Sequence, residues 1–399
     1  MTFVVDDVRL AHAPGERVSV VCEGGRIVAV APAGTMPDAG AHTECIDGRG
    51  ALALPGLIDA HAHIDKTLYS GRWVPNPGVG TVSERIAHER RERERFGLPS
   101  EQYISALVER MIANGTTRIR THTDVDPGVG LRGIQTVARV AERYRDLVTI
   151  EQVAFPQGGL ISNPGTLELL EEAVALGVPT IGGIDPAIVD RAPTVQLDAL
   201  FDLAARTGCG IDIHLHEDGS LGAWEFEEIA ARTIAHGLAG RVVISHAFGI
   251  AHPPTQQRLI ERLAEAGVAL VTAAVYDVPV PPLLALDAAG VPLACGSDGI
   301  RDLWGPFGNG DMLQRAMHVA YRNSVRTDEG LELALRAATS GAARVLGVPD
   351  YGLEVGCVAD LVLVDARTAA EAVASVPPRR AVVSRGRLVA VDGALIAEA

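Results

Sequence analysis

His61 and His63 lie two residues apart in a run that reads as a β-strand, where that spacing points both imidazoles to one side. His214, His216 and Glu217 stand at the close of a later strand-like run, His246 on the next, and Asp298 at the end of the last. Imidazoles with one carboxylate suit zinc or ferrous iron, with a position left open for water. Taken singly, each histidine is about twice as readily a hydrogen-bonded core residue as a ligand. The joint pattern reverses that balance, because six of the 12 histidines fall on strand-like runs and five of those sit at one end of them. The sixth, His122, reads either as a structural hydrogen-bonding group or as support behind the ligands.

Such a cluster needs elements that bring distant segments to one rim. Eight apolar runs of strand length alternate with helical stretches: Leu57 to Asp65, Thr117 to Val125, Val148 to Pro156, Thr180 to Asp185, Gly210 to His216, Val242 to Phe248, Ala269 to Val275 and Pro292 to Asp298. The alternation predicts an α/β chain whose eight parallel strands close a (β/α)8 TIM-type barrel, with the polar residues at the C-terminal strand ends where barrel enzymes collect their loops. Leu167, Leu170, Ala173 and Leu176 carry helical periodicity, and the Arg- and Glu-dense segment Ser83 to Arg95 reads as a solvated helix face. Arg17 to Cys22 and Arg26 to Val30 form a predicted hairpin, and Asp360 to Val364, Arg380 to Ser384 and Leu388 to Val391 repeat its character. Both termini are therefore expected to meet in one small β-sandwich domain, dividing the chain into 1–54, the barrel at 55–350, and 351–399.

Composition narrows the function. The 399 residues suffice for a barrel and an accessory domain, and the net charge of −15 opposes a nucleic-acid partner. No apolar run reaches the roughly 20 residues of a membrane span. The stretch Met1 to Val8 carries Asp6 and Asp7 where a signal peptide wants positive charge, so a cytoplasmic location is expected. Cys22, Cys45, Cys209, Cys295 and Cys357 show no CxxC spacing and read as buried thiols. A small neutral or weakly charged molecule is the expected partner, and self-association into a homo-oligomer is compatible with the sequence. Of the 35 basic residues only one is lysine, Lys66, three positions after His63.

Pro55 to His63, the lone His214 and His246, and Gly296-Ser297-Asp298 resemble the amidohydrolase superfamily signature. Arg120 to Val125, Gln152 to Gln157 and Arg344 to Leu346 resemble its cytosine deaminase branch. His63 to Lys66, Gly182 to Ala187, Asp298 to Trp304 and Pro306 to Met312 are similar to the N-isopropylammelide amidohydrolases of that branch.

The resemblance implies one divalent metal ion, zinc or iron, held by His61, His63, His214 and Asp298. The carboxylated lysine that bridges two ions in other members has Asp185 in its place, and the single lysine lies elsewhere. The implied activity is removal of an exocyclic amine from a small nitrogen heterocycle, such as a cytosine-like pyrimidine or an aminotriazine, by metal-activated water. Asp298 would accept the water's proton, Glu217 would carry a proton to the ring nitrogen, and His246 would orient the attacking oxygen. Lys66, Gln157, His216 and Trp304 are the implied substrate contacts; Gln157 matches a ring-reading amide, and Trp304 a pocket wall. Gly299 departs from the pattern, since relatives carry aspartate or asparagine there, and His214-Leu215-His216-Glu217 combines a second histidine with the deaminase glutamate. Ring-opening hydrolysis of a cyclic amide is the alternative reaction, and a non-catalytic metal-bound scaffold the alternative class.

Overall fold

Short β-rich runs at both ends find their hydrogen-bonding partners in each other. The computed structural model describes residues 2–35, 43–78 and 80–396; Met1, at the head of the opening stretch read above, lies outside them. Strands β1 (Thr2–Leu10), β2 (Ala13–Glu23), β3 (Arg26–Pro32) and β4 (Thr43–Pro55) come from the N-terminal segment. The barrel follows with β5 (Leu57–Ala62), β6 (Thr116–Asp124), β7 (Thr149–Phe155), β8 (Thr180–Ile184), β9 (Gly210–His214), β10 (Val242–Ser245), β11 (Ala269–Thr272) and β12 (Leu293–Cys295). The C-terminal segment adds β13 (Leu361–Val364), β14 (Arg379–Ser384), β15 (Arg387–Val391) and β16 (Ala394–Leu395).

The terminal strands make one mixed eight-stranded sheet, ordered β16-β15-β14-β13-β4-β1-β2-β3. Its two halves share a core in which Phe3, Val5, Val20 and Ile27 meet Leu361, Leu363 and Val383. The sequence reading found the β2–β3 hairpin and β13 to β15, but not β1 or β4. Asp6 and Asp7 interrupt the apolar run of β1, where Asp7 takes a left-handed φ of 56° and the pairing with β2 shifts between Val5 and Val8.

All eight expected barrel strands are present, in the order β5 to β12, each pair parallel. Buried apolar residues, among them Ile181, Leu200, Phe201, Ile213 and Ile244, fill the interface between strands and surrounding helices. The ring is joined at β12 and β5 by a parallel bridge from Ala62 to Asp298; the Asp298 N–H donates to the His61 carbonyl at 2.8 Å and the His63 N–H to the Asp298 carbonyl at 3.3 Å. Gly296 makes that approach possible, because a Cβ there would fall 2.6 Å from the His61 nitrogen.

Two expectations change. Helix α1 (Val82–Glu92) opens with a capping box between Thr81 and Glu84, and continues into a 3₁₀ turn at Arg93–Phe96. It is not solvated throughout: Ile86, Glu89 and Arg93 are buried, and their i, i+3, i+7 spacing makes one inward stripe. The five cysteines are free, but only Cys22, Cys209 and Cys295 are buried; Cys45 is exposed on the outer run of β4 and Cys357 is half-buried.

Candidate metal centre and active site

Where β5, β9 and β12 end, buried side chains converge with their bonding capacity already directed. The His63 Nδ1 lies 3.1 Å from the His122 carbonyl, which can only accept, so that nitrogen carries the proton and Nε2 keeps its lone pair. Ser245 donates to Asp212 at 2.6 Å and thereby accepts from His61 Nδ1 at 2.9 Å, which fixes the same tautomer in His61. The His61 Nε2 is buried with no hydrogen-bond partner. The His63 and His214 Nε2 atoms are 3.2 Å apart; Asp298 Oδ1 is 3.4 Å from His63 Nε2 and 3.7 Å from His61 Nε2.

Two ligands about 2.0–2.1 Å from a tetrahedral ion lie about 3.4 Å from each other, close to these separations. Burial, with Lys66 and the other imidazoles nearby, holds His63 well below its ordinary value; burial and neighbouring imidazoles do the same for His214. Burial works to raise the Asp298 carboxyl, yet the imidazoles of His61, His246 and His63 keep it well below the carboxylate range. Lone-pair nitrogens, one carboxylate and an unsatisfied buried Nε2 fit a divalent cation. His122 also belongs to the cluster: its ring is 4.1 Å from that of His61 and its Nε2 is 3.4 Å from Asp212. Burial pushes that imidazole down to about 4.

A cavity of about 530 Å³ opens over the cluster, within the usual size of small-molecule sites. His63, His214, His246 and Asp298 reach it from the floor, whereas His61 lies behind them. Asp185, His246 and Asp298 all take left-handed φ values, of 32°, 66° and 61°, and such strain concentrates at functional positions.

Lys66, Gln157, His216 and Trp304 also line the cavity. Lys66 donates to Asp124 at 2.7 Å and to the Gln157 Oε1, while the Gln157 Nε2 donates to Glu89 at 2.7 Å. Trp304 Nε1 donates to the same Glu89 oxygen. Both ends of the Gln157 amide are thus held by protein. Glu89 anchors this wall and was absent from the sequence reading, because an Arg- and Glu-rich helix gives no sign that one glutamate faces inward.

His216 and Glu217 part company. Strand β9 ends at His214, so the two residues occupy irregular backbone, and alternation no longer sets their faces. The His216 Nδ1 lies 2.8 Å from Asp185 Oδ2 and its N–H donates to Asp185 Oδ1 at 2.7 Å. Burial alone would lower this imidazole, but the Asp185 carboxylate raises it overall. Glu217 does not line the cavity: its Oε1 accepts the N–H groups of Ala187 and Ile188 at 3.0 and 2.8 Å. Burial and the Asp185 charge push its carboxyl up to about 7, and burial with Glu217 pushes Glu225 up to about 9.

A barrel with polar ligands at its C-terminal strand ends and a terminal β-domain defines a metal-dependent hydrolase class, and the chain belongs to the amidohydrolase family, whose sequence pattern matches residues 97–397. It is 33% identical over 359 residues to N-isopropylammelide isopropyl amidohydrolase of Pseudomonas sp. (strain ADP), covering 88% of this chain and 89% of that one. Among solved structures, N-isopropylammelide isopropylaminohydrolase from Burkholderia multivorans superposes with a TM-score of 0.94 at 44% identity, over 99% of this chain and 100% of that one. The 5-methylcytosine deaminase of Klebsiella pneumoniae, liganded with 5-fluorocytosine, gives 0.85 at 25% identity, over 98% and 97%.

Proposed function

We propose that this chain is a single-metal aminohydrolase that removes an exocyclic amine from a small nitrogen heterocycle. The observation that carries the reading is the approach of Asp298 to the His61 and His63 Nε2 atoms, and of His214 Nε2 to His63 Nε2, beneath a cavity walled by His216 and Trp304. The names of the similar proteins support it, since they describe removal of amines from a triazine and from a pyrimidine.

His61, His63, His214 and Asp298 would hold the ion, and their donor set suits zinc and ferrous iron alike. When bound, a divalent ion lowers the pKa of a coordinated water and polarises it for attack on a ring carbon. Asp298, kept as a carboxylate, would accept a proton from the attacking water. His216 faces the cavity with its Nδ1 engaged by Asp185, and its Nε2 would donate a proton to the ring nitrogen. As the carbon–nitrogen bond breaks, the amine would take the proton held by Asp298, and the hydroxyl added to the ring would return its second proton to His216. We assign the shuttle to His216 in place of Glu217, expected from the sequence, because Glu217 Oε1 accepts two loop amides and only His216 of the two lines the cavity, although Glu217 Oε2 is left without a partner. His246 Nε2, buried and without a protein partner, orients the attacking oxygen. Phe155 stacks on the His214 ring at 4.0 Å and helps keep bulk water out.

Among the described residues no helix is long and apolar enough to cross a membrane. The acidic chain and its free thiols support a cytoplasmic reaction on a small molecule. The test is a screen of aminopyrimidines, aminotriazines and pterins in which released amine and ring absorbance are followed together. Amine release in step with the absorbance change is expected; substrate loss without amine would overturn the reading in favour of ring opening.

A further inference from the structure

The residue after Asp298 is glycine, yet the space beside it is filled. A Cβ placed on Gly299 would collide with Asp302 Oδ2 and lie 2.9 Å from Asp302 Cγ, so the Asp302 carboxyl occupies the ground that a side chain at 299 would claim. The carboxyl's two oxygens do different things. Oδ1 accepts the N–H groups of Trp304 and Gly305, each at 2.8 Å, and so pins the turn that presents the Trp304 wall. No protein donor among the described residues reaches Oδ2. Asp302 is 7% exposed and, like Gly299, lines the cavity.

A carboxyl oxygen of a largely buried, cavity-lining residue that no protein donor reaches can take an N–H or O–H partner from a ligand. The neighbouring polar wall has little to spare, because Lys66, Gln157 and Glu89 are engaged with one another and with Asp124. We propose that Asp302 Oδ2 is a specificity-determining contact of this site, accepting an N–H from the edge of a planar nitrogen heterocycle. This rests on the aminohydrolase reading and adds to it the ring face that the pocket selects. Burial pushes the carboxyl up to about 7, and an N–H donor against Oδ2 would favour its charged form. Asp302 touches neither the reacting carbon nor the metal ligands in this account; it fixes which ring binds and in which orientation.

The experiment compares wild type with Asp302→Asn and Gly299→Ala, using N-isopropylammelide, cytosine and pterin as probes. Asparagine keeps an oxygen for the Trp304 and Gly305 amides but replaces Oδ2 by an NH2, while Gly299→Ala leaves Asp302 in the chain and evicts Oδ2 from its place. Calorimetric binding, kcat and KM, bound metal and thermal midpoint are measured on each. The expected result is a rise of about ten- to hundredfold in Kd and KM in both variants for the best-bound ring. A smaller change in kcat should accompany it, with metal content and thermal midpoint retained. Unchanged Kd and KM in Asp302→Asn would show that the residue only holds its turn, overturning the proposal while leaving the aminohydrolase reading intact. Wild type that binds and converts none of the probes would overturn both.

Discussion

The Asp185 carboxylate grips His216 twice, Oδ2 lying 2.8 Å from the ring Nδ1 and Oδ1 accepting the backbone N–H at 2.7 Å. One residue therefore sets both the position of the imidazole and which ring nitrogen is left free of Asp185. His216→Asn should lower kcat by about 10²- to 10⁴-fold with metal still bound. Asp185→Asn, which keeps an acceptor but loses the charge that raises His216, should lower it by about tenfold and shift the alkaline limb of the pH–rate profile downward. Steady-state kinetics across pH, with metal analysis of the same samples, checks both.

Glu89 should behave as a positioning residue. It receives Gln157 Nε2 and Trp304 Nε1 and lies 3.7 Å from the buried Lys66 ammonium. Glu89→Ala should cost about 2–4 kcal/mol of stability by leaving that charge undercompensated, and raise KM more than it lowers kcat. Glu89→Gln should recover most of the KM. Urea unfolding and kinetics on the two variants read this out.

The buried Glu217 and Glu225 carboxyls give stability a slope against pH. Both sit above the ordinary 4.5, at about 7 and about 9, so the folded chain keeps protons that the unfolded chain releases earlier. Their contribution is full below pH 4.5 and is lost as pH rises through 7 and 9. Glu225→Gln fixes the neutral form, so its thermal midpoint should exceed that of wild type at pH 9, by on the order of 1 kcal/mol, and match it near pH 5. Thermal unfolding across that range is the measurement.

Gly296 guards the seam between the first and last barrel strands. Gly296→Ala would drive a methyl into the His61 backbone, separating His61 and His63 from Asp298. We expect a loss of about 2 kcal/mol or more together with weaker metal retention, read by chemical unfolding and by metal content after dialysis.

The eight barrel strands were legible because each is a short apolar run bounded by turns; the His61–His63 pair was read from strand alternation, although β5 ends at Ala62. His214, His246 and Asp298 were read from their places at the strand ends, and the structure brings all three to the cavity. The different surroundings of His216 and Glu217 could not be read in advance, since β9 stops at His214 and the next residues leave the two-residue period. Glu89 was hidden for a different reason: helix composition reports average exposure, while its burial depends on Lys66, Gln157 and Trp304 arriving from three other segments. Asp302 stood within a recognised motif, but only its closeness to Gly299 in space gives it a task. β1 escaped notice because two aspartates break its apolar run, and Gly48 and Gly50 interrupt β4.

The central claim is that one divalent cation, shared by His61, His63, His214 and Asp298, is needed for amine release. Metal content and ammonia production should be measured on wild type, on chelator-treated protein before and after adding back one equivalent of zinc or ferrous iron, and on His214→Ala. The account predicts about one ion per chain in active wild type, loss of turnover on chelation with recovery on adding back, and neither ion nor turnover in His214→Ala. Undiminished amine release from protein stripped of metal would contradict it.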